Sequence, residues 1–322
     1  KGITEPFCNQ KRNELINSIK LGTDAPIKYK KATGVLFDVI AIKYFDDLQV
    51  HSTPHTIRDV TSKYNKHIKE PLGSLIVDRI KIEDLEKFQK SKIGILADKT
   101  INQLVELFST IFNFGLRKDM CKTVNPAIKL KKFKIDNARE RYLEKDEIKE
   151  LFELLKDNEL LTLFTKLSLS TGARLETVLS IQKKDIDLPI STVTLQDFKN
   201  KDTYKGFLSD DVLAIIKKKI KNYKANDYIV SLDGTKITSR QIQSRLKPKI
   251  DKLFNDELDT RDRKNRIVIH SLRHTFASHL AINGTPIFTI QKLMNHKDIK
   301  QTMRYAKLAP DSGKEFVNEL YK

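Results

Sequence analysis

Apolar residues recur with a helical period along most of this chain, and the period changes over residues 191–208 alone. That pattern restricts the fold more than any other feature. Helices interrupted by one short alternating stretch make a mainly α protein with a small β-hairpin or sheet insert. The strongest stretch is 99–116. There Ile101, Leu104, Val105, Phe108, Ile111 and Phe112 follow the i, i+3, i+4, i+7 spacing of a buried stripe, behind Asp98 as N-cap. Its aromatic residues read as core rather than as a base-stacking platform.

Helices are expected in 33–48 and over 56–70, the latter stopped by Pro71-Leu72-Gly73, and over 82–91. Beyond 142 they are expected over 144–156, 159–170, 174–181, 210–223, 238–253, 271–282, 286–293 and 299–307, with Pro248 kinking or splitting its helix. Thr192–Leu195 and Thr203–Leu208 read as strands around the turn-rich Lys199-Asn200-Lys201-Asp202. Residues 255–266 are densely charged and read as a surface loop.

A length of 322 residues suggests about two domains. The divisions expected are a weakly patterned region 1–51, a helical domain 52–128, a basic linker 129–141 and a second domain 142–322. The linker carries Lys129, Lys131, Lys132, Lys134, Arg139 and Arg141 with few apolar residues. It is either a solvated charge run or a segment lying along a phosphate backbone.

Sixty Lys and Arg against 42 Asp and Glu leave a net charge of +18. The expected partner is a polyanion, with nucleic acid ahead of an acidic membrane. At 39% hydrophobic and 32% charged residues of mixed sign, the chain is not of the disordered class. Cys8 and Cys121 cannot build a disulfide framework or a four-cysteine zinc site, so a reducing, cytoplasmic compartment is expected. No apolar run reaches membrane-spanning length, and no signal peptide is expected, since the stretch from Lys1-Gly2-Ile3 lacks the apolar region of one.

Three places carry residues suited to phosphate chemistry. His270 and Arg273 lie at i and i+3, one helix face, where both can donate to one phosphate. Arg174 follows a glycine turn and opens a helix, although an ion pair would also explain it. His270 and His274 have the i, i+4 spacing of a zinc helix, but no Glu follows His270 and no cysteine is near, so no metal is expected. His274 and His279 therefore read as structural or solvent-facing. His296 precedes Tyr305 by nine residues, and a tyrosine hydroxyl is a nucleophile toward phosphorus once its proton is removed and the phosphate charge neutralised.

In this order and spacing the chain resembles the tyrosine recombinases, the phage and mobile-element integrases and Xer-type resolvases. TGAR at 171–174 is similar to the TG-x-R box. HSLRHTFASHL at 270–280 is similar to the HxLRHTFAT box, and LMNHKDIKQTMRYAKL at 293–308 to the LGHSSIxTTxxYxH box. EPLGSLIVDRIKIEDLEKF and KTINQLVELFSTIFNFG resemble the helical core-binding domain that precedes the catalytic one. The resemblance covers about residues 52–308.

It implies a two-domain clamp on double-stranded DNA, strand cleavage through a 3′-phosphotyrosyl intermediate on Tyr305, and no ATP, metal or other cofactor. Arg174 and Arg273 would clamp the phosphate, His270 would bind it and assist proton removal from Tyr305, and His296 would donate a further hydrogen bond. A hairpin lysine would protonate the leaving 5′-oxygen, with Lys199 favoured over Lys201 and Lys205. The implied partners are a homotetramer on two recombination sites and an accessory DNA-bending protein, in a nucleoid-associated bacterial or phage setting. The implied task is integration and excision of a mobile element. A chromosome-dimer resolvase and a type IB topoisomerase-like enzyme are the alternatives.

Three positions depart from the family pattern. An acidic residue expected three after the first arginine is Thr177, with Glu176 one residue early. Asn295 replaces a glycine, and asparagine tolerates φ > 0. Lys307 replaces a histidine. By the same resemblance, residues 311–322, with Phe316, Val317 and Leu320, are a candidate for a tail helix that packs on a neighbouring protomer, the alternative being a tail folded on its own domain.

Overall fold

The computed structural model describes residues 4–21, 34–135, 141–198, 201–260, 262–310 and 317. The expected linker residues 136–140, Lys199 with Asn200, and the tail helix apart from Val317 lie outside the described residues. The chain divides into two compact units, Lys1–Asp136 and Asn137–Lys322.

In the first unit α1 (Glu5–Lys20) buries none of its side chains. The core forms from α2 (Phe37–His51), α3 (Pro54–Lys63), α4 (Lys69–Leu72), α5 (Ile82–Lys92) and α6 (Asp98–Arg117). The apolar stripe on α6 is fully buried at Ile101, Leu104, Phe108, Ile111 and Phe112. Phe37 of α2 stacks on Phe108 with ring centroids 4.6 Å apart. Thus α2, which the sequence reading set apart from the helical domain, completes that domain's core.

Pro71 does not stop the helix by itself. It has no N–H to donate and would crowd the carbonyl four residues back. The chain widens into a π turn over Tyr64–Ile68, continues as α4 and ends at Gly73. Part of the basic stretch also belongs to this unit. The Asn102 side chain donates to the Phe133 carbonyl (2.9 Å) and accepts from the Phe133 N–H (3.0 Å), which holds residues 130–134 against α6.

The second unit contains α7 (Lys145–Leu155), α8 (Glu159–Thr171), α9 (Leu175–Leu179), β1 (Ile186–Asp187), β2 (Thr192–Asp197), β3 (Asp202–Phe207), α10 (Asp210–Lys219), α11 (Ser239–Phe254), α12 (Ile269–Ile282), α13 (Ile287–Leu293) and α14 (Lys300–Met303). The three strands form one antiparallel sheet in the order β1-β2-β3. β2 pairs with β3 from Thr192 opposite Phe207 to Asp197 opposite Asp202. The architecture is mainly α with a small sheet insert, as the change of period implies.

Pro248 does not split its helix, and the last expected helix is shorter. α11 runs unbroken through Pro248, because Ile242, Leu246 and Ile250 recur every four residues and all pack in the core. The expected helix 299–307 is instead α14 followed by a 3₁₀ turn over Ala306–Leu308. Thr302, Tyr305 and Leu308 are the inward residues there. Their spacing of three suits i→i+3 hydrogen bonds, and Tyr305 N–H donates to Thr302 and Leu308 N–H to Tyr305, each at 2.9 Å.

α12 runs against α8 at the centre of the unit, and Leu272 and Ala277 are fully buried. Its Thr275 hydroxyl accepts from the Leu143 N–H (3.0 Å), and His279 Nε2 lies 2.8 Å from the Leu143 carbonyl oxygen. These contacts tie the start of the unit to the helix that carries His270 and Arg273. His279 is thus the structural histidine the sequence suggests.

Candidate active site

The turn between α8 and α9 presents the first arginine. Gly172 ends α8 at φ +61, and a Cβ there would lie 2.2 Å from the Phe276 ring. Only glycine satisfies both the left-handed backbone and this close approach to α12. Arg174 then caps α9 from an extended conformation and extends toward β2.

β2 alternates, so Val193, Leu195 and Asp197 all face inward. The last of these places a carboxylate, 1% exposed, where a hydrophobic residue would otherwise sit. Burying that charge is tolerable because it is paired. Arg174 Nη1 donates to Asp197 Oδ2 at 2.6 Å, and Asn295 Nδ2 donates to the same oxygen at 3.0 Å. Asn295 holds φ +47, in the left-handed region where asparagine replaces glycine most readily.

Arg273, 3% exposed, bridges two loops. Its Nη1 donates to the Gly172 carbonyl at 2.7 Å and its Nη2 to the Met294 carbonyl at 2.5 Å. One acceptor lies two residues before Arg174 and the other two before His296, so this guanidinium sets both neighbours. Burial and the charge of Arg174 lower its pKa to about 10, which leaves it cationic at neutral pH.

His296 is part-buried, with Nδ1 2.8 Å from the Thr302 hydroxyl. Burial first, then the charges of Arg273 and Arg174, push its pKa down to about 4, so the ring is neutral near pH 7. If Thr302 donates to Nδ1, the hydrogen sits on Nε2, where it is available to an anion.

Tyr305 is 4% exposed and packs with Ala277, Ala281, Ile290 and Met294. Burial raises the pKa of its hydroxyl, against the opposing charges of Arg304 and Arg273. The Tyr305 Oη lies 2.6 Å from Nδ1 of His274. His270 is exposed one turn earlier on α12, with its ring edge-on to that of His274 at 4.9 Å.

The structure therefore brings Arg174, Arg273, His296 and Tyr305 into one electrostatic neighbourhood, with His270 at its rim. Lys199 lies outside the described residues, in the β2–β3 connection. Lys201 is exposed at φ +52, and Lys205 lies opposite Thr194 on the outward row of β3. Glu176 is engaged elsewhere, as its carboxylate accepts from the Ser239 hydroxyl of α11. Thr177 holds the strand instead, through Oγ1 to the Gln196 carbonyl at 3.0 Å. The tertiary structure adds two partners to the candidate residues, Asp197 on Arg174 and His274 on Tyr305. The signal for Asp197 was its inward register on β2, and that for His274 its place one turn after His270.

Among the described residues no cluster of three His, Cys, Asp or Glu side chains is placed to hold a metal ion. The arrangement gathers two guanidiniums and a neutral imidazole beside a phenol whose oxygen lies in hydrogen-bond reach of a second imidazole. That is equipment for nucleophilic attack on a phosphodiester.

The sequence model of the phage integrase family matches residues 141–311. The tyrosine recombinase XerC of Staphylococcus haemolyticus (strain JCSC1435) is 26% identical over 219 residues, 64% of this chain and 69% of the relative. Two solved structures share the fold. The Tn1549 transposon integrase in complex with circular intermediate DNA has a TM-score of 0.70 at 19% identity, covering 89% of this chain and 100% of the other. A lambda integrase tetramer bound to a Holliday junction has a TM-score of 0.71 at 16% identity, covering 97% and 89%. With over half its length matched, this chain belongs to the phage integrase family, the tyrosine recombinases, and is a site-specific recombinase that cleaves and rejoins DNA strands.

Proposed function

We propose that Tyr305 is the nucleophile of this recombinase. Its Oη attacks the scissile phosphorus of duplex DNA, a 3′-phosphotyrosyl bond forms, and the 5′-oxygen leaves. A 5′-hydroxyl of the partner duplex then reverses the attack. Arg174 and Arg273 hold the non-bridging oxygens, His270 and His296 donate hydrogen bonds to them, and Lys199 protonates the leaving oxygen. The observation that carries the reading is the buried Arg273, bonded to the loops that bear Arg174 and His296 and lying in electrostatic reach of Tyr305. Fixed cations in a part-dry site stabilise the charge of a pentavalent phosphorus far better than hydrated ones.

The exchange serves integration and excision of a mobile element, by a homotetramer spanning two sites with an accessory DNA-bending protein. Likeness to transposon and lambda integrases supports this task. Chromosome-dimer resolution is the second reading, favoured by the likeness to XerC.

A nicked suicide duplex tests the chemistry. Tyr305→Phe is expected to bind DNA and form no denaturant-resistant adduct. Arg174→Ala and Arg273→Ala are expected to slow adduct formation by about 10²–10³-fold or more, the cost of one oxyanion donor. An adduct with the Phe variant would overturn the assignment.

A further inference from the structure

We propose that His274 is the catalytic base that takes the proton from Tyr305. The proposal rests on Tyr305 as nucleophile. A phenol with a pKa near 10, raised further by burial, needs a base in hydrogen-bond reach at neutral pH. The Tyr305 hydroxyl has one, at 2.6 Å, in His274 Nδ1. The remaining imidazoles are disposed for other work. His296 has its Nδ1 on Thr302, and His270 is exposed at the rim beside Arg273, where an incoming phosphate would meet it.

The geometry also suits proton uptake by the ring. His274 is part-buried on α12, which packs along α8, while Tyr305 is held by the apolar cluster of Ala277, Ala281, Ile290 and Met294. Both partners are thus positioned before DNA arrives. Among the described residues, the groups near the pair include His270 and Arg273 on α12, and Arg304, whose guanidinium lies 5.8 Å from the Tyr305 ring centroid.

The step balances. The Oη–P bond forms as the P–O5′ bond breaks. The phenolic proton passes to Nδ1 of a His274 that carries its hydrogen on Nε2, giving imidazolium. The leaving 5′-oxygen takes a proton from Lys199. In the return step the imidazolium gives its proton back to Oη as the partner strand's 5′-hydroxyl, deprotonated by Lys199, displaces the tyrosine.

The test is single-turnover adduct formation on the nicked suicide duplex, with the full chain and its His274→Ala, His274→Gln, His270→Gln and Tyr305→Phe variants. Loss of a general base costs about 10²–10⁴-fold, so His274→Ala is expected to slow by that factor with DNA affinity kept. Added imidazole should restore much of its rate. The wild-type rate should rise with pH through the histidine range, a limb that His270→Gln keeps and His274→Ala loses. His274→Gln accepts the hydrogen bond without taking the proton and should stay slow. Wild-type rates in His274→Gln, or in His274→Ala, would overturn the proposal, as would loss of the pH limb in His270→Gln alone. An adduct with Tyr305→Phe would instead overturn the nucleophile assignment beneath it.

Discussion

At the scale of single residues, the site depends on charges held in unusual surroundings. His296 has a pKa of about 4 in the folded protein, against an ordinary histidine value of 6.5. Between these values the unfolded chain binds more protons than the folded one, so stability rises with pH across that window. Acidifying from pH 6.5 to 4 therefore weakens the fold. His296→Gln is expected to lessen that loss by roughly 2 kcal/mol, since one pKa unit corresponds to about 1.4 kcal/mol. Denaturant midpoints of both proteins at pH 4, 5 and 7 check it, and parallel pH profiles would contradict it. Asp197 is a buried carboxylate held by Arg174 and Asn295. Asp197→Ala leaves Arg174 without that partner and is expected to cost about 1–3 kcal/mol. It should also slow adduct formation at saturating DNA, while DNA affinity changes little. Unchanged denaturation and unchanged cleavage would remove Asp197 from the site.

At the scale of elements, the junction between α8 and α12 governs the geometry. Gly172 brings its carbonyl to Arg273 while sitting against Phe276. Gly172→Ala adds the left-handed penalty for an L-residue and a clash with an aromatic ring. The sum is about 2–4 kcal/mol of lost stability. Chemical denaturation measures it, and an unshifted midpoint would show that the turn relaxes freely. The sheet insert has a comparable role. Its inward row ends on Asp197, and the Thr177 hydroxyl fastens the same strand at Gln196, so the end of β2 is tied to the helix opened by Arg174.

At the scale of the whole molecule, the surplus of +18 implies a salt-dependent grip on DNA. Each phosphate contact releases counterions. A footprint of six or more phosphates therefore predicts about a 10³-fold loss of affinity between 50 and 200 mM salt. Fluorescence anisotropy on a labelled duplex checks this, and a flat response would contradict backbone binding. No helix among the described residues is long and apolar enough to cross a membrane.

The sequence by itself determined the mainly α architecture, the place of the sheet and the order of the candidate site residues. Each of these is local: a period, a turn residue or a short box whose chemistry restricts the residue types. The α6 stripe and the glycine before Arg174 were legible for that reason. Tertiary structure alone decided which partners those residues meet. Arg174 meets Asp197 across 23 residues of chain, Tyr305 meets His274 across 31, and Arg273 meets the Gly172 carbonyl across 101. The same packing carried α11 through Pro248 and turned the expected last helix into a 3₁₀ turn around Tyr305. No spacing encodes such contacts, because they exist only once the helices and the sheet have closed on a shared core and excluded water from it.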